Sequence, residues 1–261
     1  MTLRELLAAT GVYKVYEAWL QNQVKNGEMP QHIGVILDGN RRWAFGRSLP
    51  KWEGHLWGAR KAEEFLEWCL ELGIQTVTAY VFSTENFQRP QEEVERIFDL
   101  LEQEAKRLES DIRLQEKQVR VKAIGRTELL PRRLQELIAK VENQTKDYSK
   151  HFLNIAIAYG GRAEIVDAAK KIVQDLDRGK ISINDIDEES FRNYLYTAHL
   201  PNPYPDLIIR TSGEERLSGF LLWQSAYSEL CFLDVYWPEF RKIDLLRAIR
   251  IYQKRKRTYG R

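Results

Sequence analysis

An aspartate and two arginines follow the first apolar run of the chain, in the stretch VILDGNRRWA at residues 35–44. A carboxylate beside arginines is expected to stay ionised, and Mg²⁺ typically takes one or two protein carboxylates together with substrate phosphates. The guanidinium groups of Arg41 and Arg42 match phosphate oxygens in two-point contacts. The stretch therefore favours a site for a phosphate-bearing ligand with Asp38 as a metal contact. The alternative is an Asp38 that only caps a turn or pairs with Arg42.

Polar groups that contain an arginine follow four later apolar runs as well. They are STENFQRP at 83–90, GR at 125–126, GGR at 160–162 and RTSGE at 210–214. In a parallel sheet the carboxyl ends of the strands lie along one edge, and open α/β sheets bind their ligands there. Glycine lets the backbone approach a ligand closely. The pattern predicts that the five groups meet at one edge and bind phosphate.

Three other polar residues have both a functional and a structural interpretation. His55 is either a ligand contact or an ordinary polar residue near the start of a helix. Asn86 is either part of the site or a loop residue. Glu229 begins an apolar strand, where a carboxylate is uncommon, so a metal contact and a structural ion pair are equally plausible.

Motifs of nucleotide, metallopeptidase and hydrolase sites are absent from the sequence. It contains no GxxxxGK[ST], no GxGxxG after the first strand, no HExxH, no CxxC and no GxSxG. The aspartate-rich DDxxD cluster is also missing. Aromatic and aliphatic residues stand close to the arginines; they are either core or the binding surface for a ligand with a diphosphate head and an apolar tail.

The elements that must position these residues alternate between strands and helices from Met29 onward. Near-continuous apolar strands joined by helices are typical of a parallel sheet covered on both faces. We predict a single-domain α/β fold (residues 29–261) with a central, mostly parallel six-stranded sheet, preceded by an amphipathic N-terminal helix (residues 1–28). The predicted strands are 32–37, 74–82, 119–124, 152–159, 205–210 and 229–235.

Composition excludes several classes of protein. The 261 residues are 43% hydrophobic, and Lys+Arg 40 against Asp+Glu 38 leaves a formal charge of only +2, which predicts no nucleic-acid partner. Two cysteines are too few for a disulfide framework. No apolar run reaches the ~20 residues of a membrane span and no signal peptide opens the chain, so we expect a cytoplasmic protein.

Five blocks of the sequence together resemble one enzyme family. HIGVILDGNRRWA, GHLWGA, FSTENFQRP, IAYGGRAEI and DLIIRTSGEERLSGFLLWQSAYSEL occur in this order between Met29 and about Phe240. They are similar to blocks of the cis-prenyltransferases, the undecaprenyl diphosphate synthase family, and most similar to archaeal members. The resemblance implies Mg²⁺-dependent, repeated cis condensation of isopentenyl diphosphate onto geranylgeranyl or farnesyl diphosphate. The product would be the precursor of a glycosyl carrier lipid.

The resemblance also implies an elongated hydrophobic tunnel, a homodimer, transient contact with a membrane surface for product release, and a role for each matching residue. Asp38 would bind Mg²⁺ and assist departure of the diphosphate, with Glu229 as second metal contact. Asn86 is the position usually assigned to proton removal, but a neutral amide is a poor proton acceptor, so we expect it to orient the true acceptor. Around the allylic diphosphate the resemblance places Gly39, Asn40, Arg41 and Arg42, with Trp43, Lys51 and His55 close by. Both substrates would be oriented by Ser83, Thr84, Glu85, Phe87 and Arg89. Isopentenyl diphosphate would be bound by Arg210, Arg216 and Ser218, with Leu217 as a further substrate contact.

Three positions depart from the family pattern. Lys51 stands where many members have Arg, Phe87 where Trp is more frequent, and Thr258 where an Arg belongs to a C-terminal Arg-x-Gly tail. Rival interpretations are a non-catalytic partner subunit, a phosphatase and a membrane-surface module. The presence of Asp38 with the arginines argues against the first, and the lack of a second Asp at position 40 argues against the second.

Overall fold

A computed structural model describes residues 12–255 of the chain, with the side chain of Val12 left out. The predicted N-terminal helix is present as α1, Val12–Lys25. Its predicted residues before Val12, and Thr258 in the C-terminal tail, lie outside the described residues. No helix in the described part is long and apolar enough to cross a bilayer.

Six parallel strands form one sheet, which confirms the predicted fold class. Their order is β3-β4-β2-β1-β5-β6. The strands are β1 His32–Ile36, β2 Thr76–Ser83, β3 Val119–Ile124, β4 His151–Tyr159, β5 Leu207–Arg210 and β6 Glu229–Phe232. The first strand lies between β2 and β5, so the loops after these strands share the point where the strand order reverses, which is the usual ligand position in such sheets.

Helices cover both faces of the sheet, as the apolar strands require. They are α2 Asn40–Phe45, α3 Lys51–Glu71, α4 Gln91–Ser110, α5 Ile112–Glu116, α6 Arg132–Thr145, α7 Gly161–Asp177, α8 Glu188–Arg192 and α9 Lys242–Lys254. Short 3₁₀ helices span Thr84–Gln88, Thr127–Leu129, Ile183–Asp185 and Trp237–Glu239. The pattern did not predict α2, and it placed the start of α3 at His55 rather than at Lys51.

The two faces of the sheet are packed differently. On one face, side chains such as Val77 and Ala79 of β2 border a large cavity. The opposite face carries a buried row of hydrogen-bonded polar groups, in which His32 Nε2 lies 2.8 Å from Thr78 Oγ1 and Asn154 Nδ2 donates to the same hydroxyl at 3.0 Å. His199 Nε2 continues the row to Asn154 Oδ1 at 2.8 Å. The apolar face is thus the one that can hold an apolar ligand.

Candidate active site

One cavity of about 1480 Å³ lies between the sheet and helices α3 and α4. Residues that follow β1, β2, β4 and β5 line one part of it, which confirms that these four strand ends meet. Leu66 and Leu70 of α3 and Ile97 and Leu101 of α4 line its apolar part together with the sheet. A polar edge therefore opens into an apolar interior.

The turn after β1 fixes the position of Asp38. Gly39 has φ +103°, and a Cβ there would lie 2.7 Å from a ring carbon of Tyr236, so this turn requires glycine. The Asp38 backbone N–H donates to Ile36 O at 2.9 Å and to Thr211 Oγ1 at 3.1 Å. The Asp38 carbonyl accepts from Thr211 Oγ1 at 2.7 Å. The loop after β5 thus holds the backbone of Asp38 in place.

Two arginines keep the Asp38 carboxylate ionised. Arg210 Nη2 donates to Asp38 Oδ2 at 2.8 Å, and Arg42 Nη2 lies 3.5 Å from Oδ1. Burial by itself would raise the pKa of Asp38, but the hydrogen bond and charge of Arg210, the charge of Arg42 and the N–H of Gly39 outweigh it and lower the pKa below its ordinary value. An ionised, part-exposed carboxylate at the cavity is a suitable Mg²⁺ contact when phosphate oxygens and water supply the remaining ligands.

Arg210 is a buried cation whose Nε–H group makes no hydrogen bond to the described residues. The residue ends β5 and is only 4% exposed. Its Nη1 donates to Ser218 Oγ at 2.8 Å and to the Arg216 carbonyl, but its buried Nε has no hydrogen-bond partner within residues 12–255. Buried guanidinium donors are normally satisfied. The Nε of Arg210 is therefore a donor that these residues leave unsatisfied.

The loop after β5 carries the other predicted isopentenyl diphosphate contacts, and the structure separates them. Ser218 lines the cavity beside Arg210. The exposed guanidinium of Arg216 pairs with Glu214, which also accepts from Arg42 Nη1 at 3.0 Å. Arg216 and Leu217 do not line the cavity. Glu214 therefore bridges the β1 and β5 loops through two predicted phosphate-binding arginines.

The Asn86 side chain stabilises the loop after β2. Its Oδ1 accepts the backbone N–H of Ser83 at 3.1 Å and so closes the N-terminus of the 3₁₀ helix Thr84–Gln88. The predicted contacts of this loop, Ser83, Thr84, Glu85, Asn86 and Arg89, all line the cavity. Phe87 does not; its ring lies 5.0 Å from Phe82 and 6.0 Å from Phe98 between centroids.

The sequence analysis did not identify Glu93, a buried carboxylate that lies beside three of the predicted substrate-binding residues. Glu93 Oε1 lies 3.3 Å from Arg89 Nη1, 3.4 Å from Arg41 Nε and 3.7 Å from His55 Nε2. Burial, followed by the charge of Arg89, lowers the pKa of His55 to about 4 despite Glu93, so His55 is neutral near pH 7. The available signal was an acidic residue in the first turn of α4, which helix-dipole stabilisation also explains.

Two glycines of α3 that we did not single out allow α2 to lie close to it. A Cβ on Gly54 would stand 2.1 Å from the Asn40 carbonyl oxygen, and one on Gly58 would stand 2.5 Å from Asn40 Oδ1. Asn40 Nδ2 also donates to Leu37 O at 3.1 Å. The GHLWG spacing thus fixes the start of α2, from which Gly39, Asn40, Arg41 and Arg42 line the cavity together with Lys51 and His55.

Trp43 and Arg126, two further residues of the predicted groups, also lie apart from this cavity. Trp43 is buried behind α2, against Trp57 at 5.8 Å between ring centroids. Arg126, after β3, pairs with Asp167 and borders a second cavity of about 910 Å³.

The structure also corrects the expected place of Glu229. It begins β6 at the amino-terminal edge of the sheet, beside Leu207 and across from the polar edge. Its Oε2 accepts from Arg255 Nη1 at 2.7 Å. Within one chain the structure therefore does not bring Glu229 to Asp38. Among residues 12–255 no group of three or more His, Cys, Asp or Glu side chains could hold a metal ion.

The chain is similar to known proteins of one family. The family model described as "Putative undecaprenyl diphosphate synthase" matches residues 36–260. A Methanopyrus kandleri protein named tritrans,polycis-undecaprenyl-diphosphate synthase (geranylgeranyl-diphosphate specific) is 56% identical over 250 residues, covering 96% of this chain and 92% of its own length. A Pyrococcus abyssi protein of the same name is 55% identical over 249 residues, covering 95% of this chain and 94% of its own length.

A solved structure shares the fold. Lavandulyl diphosphate synthase from Lavandula x intermedia, in complex with dimethylallyl diphosphate, aligns with a TM-score of 0.86 at 34% identity and covers 89% of this chain and 99% of its own. The archaeal likeness and the family suggested by the five sequence blocks are confirmed. With its ionised aspartate, its arginines and its apolar cavity, the chain belongs to the undecaprenyl diphosphate synthase family of cis-prenyltransferases.

Proposed function

We propose that the chain condenses isopentenyl diphosphate repeatedly onto an allylic diphosphate, with cis stereochemistry, and makes a long polyprenyl diphosphate that serves as precursor of a glycosyl carrier lipid. Geranylgeranyl diphosphate is the expected primer because relatives at 56% and 55% identity are named as specific for it; farnesyl diphosphate is second. The observation that carries the proposal is the buried Arg210 at the polar end of an apolar cavity, where its Nη2 donates to ionised Asp38 and its Nε has no hydrogen-bond partner among the described residues.

The two diphosphates would bind to different loops. Arg41, Arg42 and Lys51, with Arg89 from the β2 loop, supply cations for the allylic diphosphate. Arg210 and Ser218 supply donors for isopentenyl diphosphate from the cavity wall, and Arg216 of the same loop is a third cation, exposed and paired with Glu214. Cations aimed at the departing diphosphate favour its loss, and the apolar cavity keeps water from the allylic cation that forms.

We assign proton removal to an acceptor other than Asn86. The side-chain oxygen Oδ1 of Asn86 already accepts the Ser83 N–H, and a neutral amide is a weak base. His55 is neutral near pH 7 because the pKa is lowered to about 4 by burial, but its Nε2 lies beside Glu93. The released diphosphate or a water is therefore the acceptor, with Asn86 orienting it.

Mg²⁺ fits the site through Asp38, whose two oxygens accept only one hydrogen bond each and face a phosphate-binding edge. The ion would neutralise charge on the departing diphosphate. A metal role for Glu229 requires that a second copy supply it, since this chain's own Glu229 is at the other edge of the sheet. We propose a homodimer for the working enzyme, and a cytoplasmic location with peripheral membrane contact.

Product analysis tests the proposal. The protein is incubated with labelled isopentenyl diphosphate and either geranylgeranyl or farnesyl diphosphate, with and without a Mg²⁺ chelator, and products are sized by chromatography. We expect long labelled chains, more from geranylgeranyl diphosphate, and none with chelator. A lack of incorporation with both primers would refute the proposal and favour the non-catalytic partner subunit.

A further inference from the structure

The turn at residues 218–221, in the loop after β5, has an unusual backbone. Ser218 has φ +48°, Gly219 has φ +79° and Leu221 has φ +46°. The left-handed region is sterically unfavourable for residues with a Cβ, such as serine and leucine. Residues in such conformations persist only where neighbouring groups hold them, and they are frequent at functional sites. The surroundings of the 218–221 turn must therefore hold it in place.

Two backbone groups of the turn are bound by residues at the end of β4 and the start of α7. The Gly161 N–H donates to the Gly219 carbonyl at 2.8 Å, and the Leu221 N–H donates to Tyr159 Oη at 3.2 Å. A Cβ on Gly161 would lie 2.4 Å from the Gly219 oxygen, so the first contact requires glycine. The second contact depends on a side-chain hydroxyl that is buried, since Tyr159 is 0% exposed. Removal of that hydroxyl would leave the Leu221 N–H without this acceptor.

The Tyr159 hydroxyl is itself held by a second contact. It donates its proton to Glu164, a carboxylate that is only 1% exposed. Glu164 Oε1 also accepts from the Tyr196 backbone N–H and from Gln224 Nε2, both at 2.9 Å. Because a hydroxyl has one proton, Tyr159 Oη meets the Leu221 N–H as an acceptor. Glu164 therefore fixes the orientation in which the hydroxyl binds the turn.

The turn begins with Ser218, which contacts Arg210. Ser218 Oγ accepts from Arg210 Nη1 at 2.8 Å, and the same guanidinium donates to Asp38 Oδ2 through Nη2 at 2.8 Å. Ser218 and Gly219 line the main cavity, whereas Tyr159 does not. A change at Tyr159 would therefore act on a ligand in that cavity through the turn and not by direct contact.

We propose that Tyr159 is a positioning residue for isopentenyl diphosphate: its buried hydroxyl holds the 218–221 turn in the conformation that presents Ser218 and Arg210 to the cavity. The inference rests on the proposed function, because that function assigns the loop after β5 to isopentenyl diphosphate. The competing explanation is that the hydroxyl only satisfies the buried Glu164 carboxylate. In that case its loss would lower stability without affecting one substrate more than the other.

Tyr159→Phe tests the inference, because it removes the hydroxyl and keeps the ring, which lies 5.7 Å from Tyr80 and 6.2 Å from Phe220 between centroids. We expect KM for isopentenyl diphosphate to rise about tenfold, as for a buried donor left unsatisfied. KM for the allylic primer and kcat should stay within about twofold of wild type. Initial rates with one substrate varied at a time measure these constants, and circular dichroism checks folding. Gly161→Ala, a second variant, presses on the Gly219 carbonyl and should raise the same constant while Tyr159 stays in place.

The matched control is Tyr196→Phe, which removes a hydroxyl that donates to Asp167 at 2.5 Å beside the second cavity. It should change neither KM. The inference is overturned if Tyr159→Phe raises both KM values equally, or if it lowers Tm and leaves both KM values unchanged. Calorimetric titration of isopentenyl diphosphate into the protein without primer separates this inference from the proposed function. A wild type that makes no product, yet binds isopentenyl diphosphate about tenfold more tightly than Tyr159→Phe does, would refute the proposed function and support the positioning role.

Discussion

Arg210 and Arg126 follow strands of the same parallel sheet, and the sequence predicted phosphate binding for both, yet their surroundings differ. Arg126 Nε and Nη2 both donate to Asp167 at 2.9 Å. That aspartate also accepts from Tyr196 Oη at 2.5 Å. In the part of the chain that the structure describes, Arg210 shares its one carboxylate, Asp38, with Arg42 and keeps a buried Nε without a partner. The comparison teaches that position at a strand end does not decide whether an arginine keeps a donor for a ligand.

The largest effect on turnover should come from replacing Asp38, the carboxylate that pairs with Arg210. Asp38→Ala should lower kcat by about 10³-fold or more, because the metal contact at the departing diphosphate is lost. Steady-state turnover with saturating substrates measures it, and circular dichroism confirms that the variant folds. Asp38→Asn, which keeps the shape and removes the charge, is the matched control for packing. Turnover of either variant within a few-fold of wild type would contradict the role of Asp38.

Arg210→Ala should raise KM for isopentenyl diphosphate by about 10–100-fold, since hydrogen bonds to charged groups contribute about 1.5–3 kcal/mol. The effect on KM for the allylic primer should be much smaller. Arg216→Ala should act in the same direction but more weakly, because Arg216 is exposed and paired with Glu214. Initial rates with one substrate varied at a time give both constants. Equal increases for the two substrates would show that the loops are wrongly assigned.

Mild acid should destabilise the fold because buried histidines become protonated on unfolding. The ion pairs Arg210–Asp38 and Arg126–Asp167 should not contribute to this effect. The pKa values of His32, His55 and His199 are each lowered to about 4, mainly by burial. Between about pH 6.5 and pH 4 the unfolded chain therefore binds more protons than the folded chain, and stability falls as the pH is lowered. Asp38 and Asp167, whose pKa values are lowered, stay ionised in that window. Thermal unfolding at pH 7 and pH 5 should show the lower Tm at pH 5, and His32→Gln should reduce the difference. A Tm that is constant over this range would rule the explanation out.

The smallest effect on activity should come from Arg126. Arg126→Ala removes a part-exposed bidentate pair, which is worth about 1 kcal/mol, and should lower Tm by about 2–4 °C. KM for both substrates should stay within about twofold of wild type, because the pair borders the second cavity. A large rise in KM would place the β3 loop in the substrate site and remove the distinction from Arg210.

The fold could be predicted because the strands are short apolar runs and the helices show clear amphipathic patterns. The sequence did not predict α2, since its six residues are too few to show a period and its start depends on the positive φ of Gly39. For α3, Pro50 marks the true start, directly before Lys51.

The sequence predicted the site residues that stand at the ends of strands. It did not predict the contacts that those residues make with side chains of distant helices. Residues 38–42, 83–86 and 210 were predicted together and lie together. The pairing of Arg126 with Asp167 and the grouping of cations around Glu93 involve helices whose facing surfaces no local pattern specifies. The position of Glu229 could have been predicted from the sequence. A residue that begins a strand of a parallel sheet lies at the amino-terminal edge, opposite to the edge where the strands end.

The pairing of Ile36 with Arg210 across β1 and β5 joins parts of the chain far apart in sequence. A nascent chain that includes only the first four strands therefore contains Asp38 but not yet the loop after β5 that holds it. Contacts of such long sequence separation form slowly, so the arrangement of Asp38 with Arg210 arises late in biosynthesis, only after Arg210 itself has been synthesised.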